Sequence, residues 1–207
     1  QQFGIMEASV GKSGFFTALY IVMIPVIGIF IGKRPGIKLW FCVALAVVGM
    51  YLLCMKDGSF TIERADIMLL LCALVFSFHI LMVDYFSPKV DGVKMSCIQF
   101  FVCGVLSAVG VLFTETPDIS NIQAAWLPLL YAGLLSCGVG YTLQIVGQKG
   151  INPVIASLIM SLESVISALA GWVILGQVLS PKEILGCVLM FVAIIITQIP
   201  IGNKKTD

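Results

Sequence analysis

Seven apolar stretches, each long enough to cross a lipid bilayer, constrain this sequence more than any other feature. They are residues 15–31, 39–55, 67–83, 95–113, 124–146, 154–175 and 184–201. A helix rises about 1.5 Å per residue, so about 20 residues cross a hydrocarbon core about 30 Å thick. The alternation that transmembrane strands require is absent. The pattern therefore predicts an all-α integral membrane protein with seven transmembrane helices, whose polar-flanked ends extend into the interface.

The charged residues are segregated from these stretches. Of 23 formal charges, 12 basic and 11 acidic, 22 lie between the stretches, and only Glu163 lies inside one. Charged residues make up 11% of the chain, against about a quarter of a soluble domain. Hydrophobic residues make up 59%, against about half of a soluble domain. The net charge of +1 gives no basic surface for nucleic acid. The lipid bilayer is the partner that this composition requires.

The distribution of Lys and Arg predicts the orientation. One side of the predicted membrane carries eight: Lys33, Arg34, Lys38, Lys89, Lys94, Lys149, Lys204 and Lys205. The other side carries four: Lys12, Lys56, Arg64 and Lys182. Cytoplasmic loops are enriched in Lys and Arg. We expect a multi-pass protein of the cell membrane with a cytoplasmic C-terminus.

Two connections carry helix-start chemistry. Ser180, Pro181 and Glu183 provide an N-cap, a proline at the first helical position and the acid of a capping box. Asn152 and Pro153 form a similar start before the sixth stretch.

An internal repeat links the first and sixth stretches. Residues 11–27 align with 150–166 without a gap, with identities at Gly11/Gly150, Leu19/Leu158 and Val26/Val165. Each copy is followed by a short polar turn and another stretch. Because the copies lie five helices apart, they cross the membrane in opposite directions, and inverted repeats are typical of transporters.

Several motifs resemble the EamA-type transporters of the drug/metabolite transporter superfamily. They are residues 14–20 (GFFTALY) with 24–26 (IPV), then 156–165 (ASLIMSLESV), 171–172 (GW), 175–177 (LGQ) and 185–189 (LGCVL). The resemblance covers essentially the whole chain. Two positions depart from the family pattern, because Ser164 stands where the family usually shows Pro and Gln177 where it shows Glu. The first change predicts a straighter helix, and the second removes a carboxylate from that turn.

The resemblance implies a ten-helix fold of two inverted five-helix repeats. Residues 1–56 would then be the C-terminal part of the first repeat, 63–202 the second repeat and 203–207 a cytoplasmic tail. On this interpretation the chain lacks three helices, or about 80–100 residues including connections, and represents about two-thirds of a transporter. A complete seven-helix protein is the alternative.

Glu163 is the strongest candidate for function. It lies tenth of 22 residues in its stretch, where a charge costs about 2.5–3.5 kcal/mol on insertion scales. It is expected to bind substrate or exchange protons, and the alternative is a structural carboxyl group. His79, the only histidine, lies deep in the third stretch and is a further substrate-binding candidate, although a packing role fits it as well.

Other polar side chains within the stretches are substrate-binding candidates. Tyr141, Gln144 and Gln148 share one helix face by their i, i+3, i+7 spacing. Gln99 is a similar candidate. Tyr20 shares a face with Thr17 and is expected either in a cavity wall or at the interface. Interhelical hydrogen bonding is the alternative for the glutamines.

These features predict a secondary transporter that moves a small metabolite, amino acid or drug-like molecule by alternating access. The sequence contains no nucleotide-binding loop, no nucleophile–base pair and no metal-ligand motif, so we expect no catalytic residue, cofactor or metal. The expected partners are a small-molecule substrate, the lipid bilayer, and a coupled proton or exchanged solute. A seven-helix receptor or scaffold is the alternative function.

Overall fold

The computed structural model describes residues 1–8, 10–54, 63–114, 119–176 and 178–199, and the regular structure in these ranges is helical. The helices before the fifth span are α1 (Gln2–Glu7), α2 (Val10–Ala18), α3 (Tyr20–Phe30), α4 (Ile37–Cys54), α5 (Arg64–Phe86), α6 (Gly92–Thr114) and α7 (Ile119–Ala124). They are followed by α8 (Trp126–Leu130), a π-helical segment (Tyr131–Tyr141), α9 (Thr142–Gln148), α10 (Pro153–Met160), α11 (Leu162–Leu175) and α12 (Pro181–Gln198).

Seven spans in the described residues are long and apolar enough to cross a membrane. They are Lys12–Phe30, Ile37–Cys54, Arg64–Phe86, Gly92–Phe113, Trp126–Gln148, Pro153–Ile174 and Pro181–Gln198, numbered here from first to seventh. Each overlaps the predicted stretch of the same rank and extends past one or both of its ends. The seven predicted helices are therefore confirmed, and several charged residues assigned to connections lie in the terminal turns of the spans. Residue 55, residues 200–201 and the predicted tail lie outside the described residues.

The predicted helix starts are both present. The Glu183 backbone N–H donates to Ser180 Oγ at 3.3 Å, and the Ser180 N–H donates to Glu183 Oε2 at 2.7 Å, which completes a capping box. Asn152 Oδ1 accepts from the Val154 N–H at 2.9 Å and caps α10. At the other end of the sixth span, Gly176 closes α11 with a φ of +64°, a left-handed conformation that glycine adopts without a Cβ clash.

The chain divides into two compact units. The first contains the residues up to Leu81 and those from Asn152 onward, and the second contains Met82–Ile151. The first unit holds the first, second, sixth and seventh spans and most of the third. The second unit holds the fourth and fifth spans. The two predicted repeats, 1–56 and 63–202, are continuous segments of the sequence, whereas the compact units are defined by contacts. The division into repeats stays a prediction.

Close helix packing in the first unit centres on Gly49 of α4 and Gly186 of α12. A Cβ added at Gly186 would lie 2.6 Å from the Gly49 carbonyl oxygen and 2.8 Å from the Leu53 nitrogen. A Cβ added at Gly49 would lie 2.8 Å from the Gly186 carbonyl oxygen and from Met190 Cγ. The partner residue numbers fall along α12 as they rise along α4, so the helices are antiparallel. Small residues let the two backbones approach, and such packing is a main source of helix association in lipid.

Two lysines occupy matching places on these two helices. Lys38 is the second residue of α4, and its Nζ donates to the carbonyl oxygens of Thr197, at 3.3 Å, and Ile199, at the end of α12. Lys182 is the second residue of α12, and its Nζ lies 5.5 Å from the ring centroid of Tyr51 in the last turn of α4. Each cation therefore lies near the negative end of the partner helix dipole.

The second unit contains an unusual stretch of backbone. The fifth span is wound as a π-helix over Tyr131–Tyr141, between the short α8 and α9, rather than as the single α-helix that hydropathy predicts. A Cβ added at Gly138 would lie 3.3 Å from the Gly133 carbonyl oxygen, five residues earlier. Within the same unit, the start of α6 packs on α9, because a Cβ at Gly92 would contact Val146 at 3.1 Å. Departures of this kind from α-helical winding are often found at functional sites.

Candidate functional site

The first span is interrupted near its middle. It consists of α2 and α3, which are separated at Leu19, and Pro25 lies inside α3. The Thr17 hydroxyl donates to the carbonyl oxygens of Ser13, at 2.7 Å, and Gly14, at 3.2 Å. Such bonds back to the preceding turn occur in bent helices. Tyr20 is the first residue after the interruption, and its side chain is buried at 8% exposure.

The sixth span is interrupted at Ser161, between α10 and α11. The Ser157 and Ser161 hydroxyls donate to the carbonyl oxygens of Val154, at 2.8 Å, and Leu158, at 2.6 Å. The straighter helix predicted from Ser164 in place of proline stays a prediction. Gln177, the second departure from the family pattern, lies outside the described residues. In the aligned repeat, the interruption of the sixth span falls three residues later than that of the first.

Glu163 lies in the first turn of α11, directly after this interruption. A carboxylate there meets the positive end of the α11 dipole. The residue is exposed, and within the described part of the chain its side chain makes no hydrogen bond or ion pair. Tyr20 of the first span lies within electrostatic range of this carboxylate. The packing of α10 against α3 brings the two interrupted spans together.

An aromatic row continues from Tyr20 to the third span. The Tyr20 and Phe76 rings meet edge to face, with centroids 5.2 Å apart, and Phe76 stacks on His79 at 5.7 Å and an interplanar angle of 17°. His79 Nε2 is buried and has no hydrogen-bond partner among the described residues. We call Tyr20, Phe76, His79 and Glu163 the aromatic–carboxylate cluster.

Three of the six predicted site residues lie in the first unit. Tyr20 and His79 are joined through Phe76, and Glu163 lies within electrostatic range of Tyr20. Phe76 was missed by sequence reasoning, because one phenylalanine in an apolar span carries no signal of its own. Its spacing of three residues from His79 places both on one helix face, which could have indicated the contact.

The other three predicted residues belong to the second unit. Gln99 is half-buried on α6, Tyr141 is exposed at the end of the π-helical segment, and Gln144 is half-buried on α9. Gln144 Nε2 is buried without a hydrogen-bond partner in the described residues. Exposure falls along the predicted polar face from Tyr141 through Gln144 to the buried Gln148.

The described residues contain no group of three or more His, Cys, Asp or Glu side chains arranged to hold a metal ion. The cluster instead offers one carboxylate, two aromatic rings and an imidazole. A carboxylate beside aromatic faces can bind a cationic or amphipathic solute or take up a proton.

The seven apolar spans define a multi-pass membrane protein. The EamA-like transporter family matches residues 63–199, more than half of the chain, and the chain belongs to this family within the drug/metabolite transporter superfamily.

Two curated relatives carry the name of transporter without a stated substrate. The chain is 31% identical over 200 residues to an uncharacterized transporter of Archaeoglobus fulgidus, covering 96% of this chain and 64% of that protein. It is 25% identical over 183 residues to the uncharacterized transporter YwfM of Bacillus subtilis, covering 84% of this chain and 59% of that protein. The chain therefore spans less than two-thirds of the length of these relatives.

A crystal structure of another protein shares the fold. The TM-score is 0.79 at 16% sequence identity, and the match covers 94% of this chain and 69% of the other. At that identity the similarity shows the arrangement of helices alone.

Proposed function

We propose that this protein is a secondary transporter that moves a small metabolite, amino acid or drug-like molecule across the cytoplasmic membrane by alternating access. The observation that carries the proposal is the position of Glu163. It is the eleventh of 22 residues in the sixth span, it is exposed, and it lies within electrostatic range of the buried Tyr20. Charged residues within spans usually face a water-filled cavity or another charge.

The chemistry of the cluster favours an amphipathic solute that carries an amine. A cation over an aromatic face gains about 0.5–2 kcal/mol, and a carboxylate adds a direct ion pair. In this proposal Glu163 either binds the amine or exchanges a proton with it, Tyr20 and Phe76 contact its apolar part, and His79 offers an unoccupied hydrogen-bonding nitrogen. Gln99, Tyr141 and Gln144, which belong to the second unit, stay predicted substrate-binding residues.

The inverted repeat belongs to the same proposal. Two observations support it: the first and sixth spans are both interrupted near their middles, and Lys38 and Lys182 occupy matching positions on antiparallel helices. A ten-helix protein of two such repeats would need three helices in addition to the seven spans described here. Interrupted spans near a midplane site are a common feature of transporters built in this way.

The orientation is also proposed. The eight-to-four distribution of Lys and Arg supports a cytoplasmic C-terminus. Fusion of alkaline phosphatase or a fluorescent protein to the C-terminus tests it, because phosphatase activity there would require the opposite orientation. Family membership favours transport over the receptor or scaffold alternative, since the named relatives are transporters.

The direct test is counterflow in proteoliposomes that contain the full-length gene product. Vesicles loaded with one unlabelled solute are diluted into the labelled solute, with a panel of amino acids, nucleosides and organic cations. We expect accumulation of at least one amine-bearing solute. Vesicles in which no panel member exchanges, although the protein is folded and inserted, would contradict the transport proposal.

Replacement of the carboxylate tests its role. Glu163→Gln keeps the shape of the side chain and removes its charge, so we expect loss of transport or loss of its pH dependence. Glu7→Gln, at an exposed position of α1 outside the cluster, is the matched control and should behave as the wild type. Wild-type transport with a wild-type pH profile in Glu163→Gln would rule out both roles.

A further inference from the structure

Two opposite charges meet inside the first unit, where the first and third spans begin. Lys12 Nζ lies 3.0 Å from Asp66 Oδ2 and 3.6 Å from Glu63 Oε1. The Asp66 side chain is fully buried, and that of Lys12 is 15% exposed. Asp66 Oδ2 also accepts the Glu63 N–H at 2.9 Å, whereas Oδ1 is buried and lacks a hydrogen-bond partner in the described residues. This pair links two spans that are 54 residues apart in the chain.

Local helix chemistry explains only part of this arrangement. An acid in the first turn of α5 meets the positive end of the helix dipole and caps the Glu63 N–H. A solvent-exposed carboxylate would do both equally well. Burial of Asp66 against Lys12 instead carries a desolvation penalty that roughly cancels the attraction of the pair. The paired state therefore differs little in free energy from a state in which both charges are hydrated.

The same two spans carry three members of the aromatic–carboxylate cluster. Tyr20 lies eight residues after Lys12, and Phe76 and His79 lie ten and thirteen residues after Asp66. At about 1.5 Å per residue the pair is about 12–20 Å from the cluster along the helix axes. The pair therefore lies towards the ends of the same two spans, on one side of the cluster.

Other packing at this end supports a closed state. Gly4 of α1 is buried against α5, because a Cβ there would lie 2.7 Å from Leu69 Cγ and 3.3 Å from the Ala65 carbonyl oxygen. Cys54 ends α4 on the same side and is half-buried, and its Sγ would lie 3.5 Å from a Cβ at Gly14. Gly14 is two residues after Lys12 in α2, so this thiol lies at the same end of the first span as the ion pair, on a different face of that helix.

We propose that Lys12 and Asp66 form an ion-pair latch that holds this end of the first and third spans closed, and that solute passes on this side only when the pair separates. Separation hydrates both charges and the unpartnered Oδ1. The inference rests on the proposed transport function, because it assigns this contact to one of the two states of the alternating-access cycle. Glu63, whose side chain is 57% exposed, acts only as a peripheral partner.

The experiment measures access to Cys54 in the full-length gene product, with the other cysteines replaced by serine or alanine and with folding and membrane insertion retained. A membrane-impermeant maleimide is applied to each face of membrane vesicles. The test variant is Lys12→Met with Asp66→Asn, which removes both charges but keeps an oxygen that can cap the Glu63 N–H. Removal of both charges avoids a single buried charge, so this variant is expected to fold.

We expect Cys54 in the double variant to react with the maleimide at least about fivefold faster than in the background protein. A factor of about five is the lower end of usual coupling between two conformational states. Glu63→Gln should leave the rate unchanged, and Lys12→Arg, which keeps the pair, should stay near wild type. Lys12→Asp with Asp66→Lys, which restores the pair in reverse, should return the rate towards wild type.

An unchanged labelling rate in the folded double variant would overturn the latch, even where transport is intact. Equal acceleration in Lys12→Arg would also overturn it, because the contact would then depend on the lysine itself and not on the pair. Failure of transport for every solute would instead count against the proposed function. The labelling outcome does not require transport, so the two failures are distinguishable.

Discussion

Gly186→Ala offers a sharp test of the packing between α4 and α12. The added methyl group would lie 2.6 Å from the Gly49 carbonyl oxygen and 2.8 Å from the Leu53 nitrogen. Both neighbours are backbone atoms, so no side chain can rotate away to make room. An ordinary contact needs about 3.4 Å or more, so the two helices must separate by about 0.6–0.8 Å.

That separation loosens one of the best-packed parts of the first unit. Met50 and Met190 are fully or almost fully buried around the crossing and would lose contacts on both helices. Overpacking of this kind typically costs about 1–3 kcal/mol. We expect Gly186→Ala to lower the free energy of unfolding by this amount, measured by reversible unfolding in mixed micelles of increasing denaturing detergent and followed by circular dichroism.

Gly104→Ala is the matched control. Gly104 lies within α6, and no heavy atom lies within 4 Å of the position of an added Cβ. Alanine there should be neutral or raise stability by up to about 1 kcal/mol through helix propensity. The unfolding free energy of Gly49→Ala should lie between those of Gly186→Ala and Gly104→Ala, because one close neighbour of Gly49 is the flexible Met190 side chain. Wild-type stability of Gly186→Ala would refute the close backbone approach.

Two further predictions concern the cluster and the last helix. Phe76→Leu removes the ring that joins Tyr20 to His79, and because an aromatic pair contributes about 0.5–1.5 kcal/mol, we expect the half-saturation concentration for transport to rise up to about tenfold. Phe101→Leu, at a 73% exposed position, serves as control, and equal kinetics in both would count against the cluster. Ser180→Ala breaks the capping box of α12 and should lower unfolding free energy by about 0.5–2 kcal/mol in the same detergent titration, with no change in transport selectivity. A stability equal to wild type would mean that the cap contributes nothing in lipid or detergent.

Hydropathy predicted the number and position of the spans well, and helix-start motifs predicted where two of them begin. Both signals are local: apolar composition over about 20 residues, and a side chain within three positions of a backbone N–H. The winding of each span was less predictable. The interruption at Leu19 and the π-helical segment in the fifth span depend on which carbonyl oxygen accepts each backbone N–H. Hydropathy carries no information about this hydrogen-bond pattern.

The candidate site also contains residues that the sequence predicts and contacts that only the structure shows. Glu163 was predicted because a charge in an apolar span is rare, and His79 and Tyr20 because they are polar in such a span. The link between Tyr20 and His79 depends on Phe76, which is one of many apolar residues and becomes informative only when its neighbours are known. Lys12 and Asp66 were assigned to connections because they lie at span ends, and nothing in the sequence predicted that they form an ion pair.

The sequence by itself determined that this chain crosses the membrane several times, which transporter family it resembles and which carboxylate lies within a span. It could do so because the free energy of transfer into lipid depends on each residue and its near neighbours. The tertiary structure alone decided the rest: Gly49 against Gly186, Lys12 against Asp66, and Tyr20 beside Phe76. These contacts join residues far apart in the chain, and their free energies exist only once packing brings the helices together.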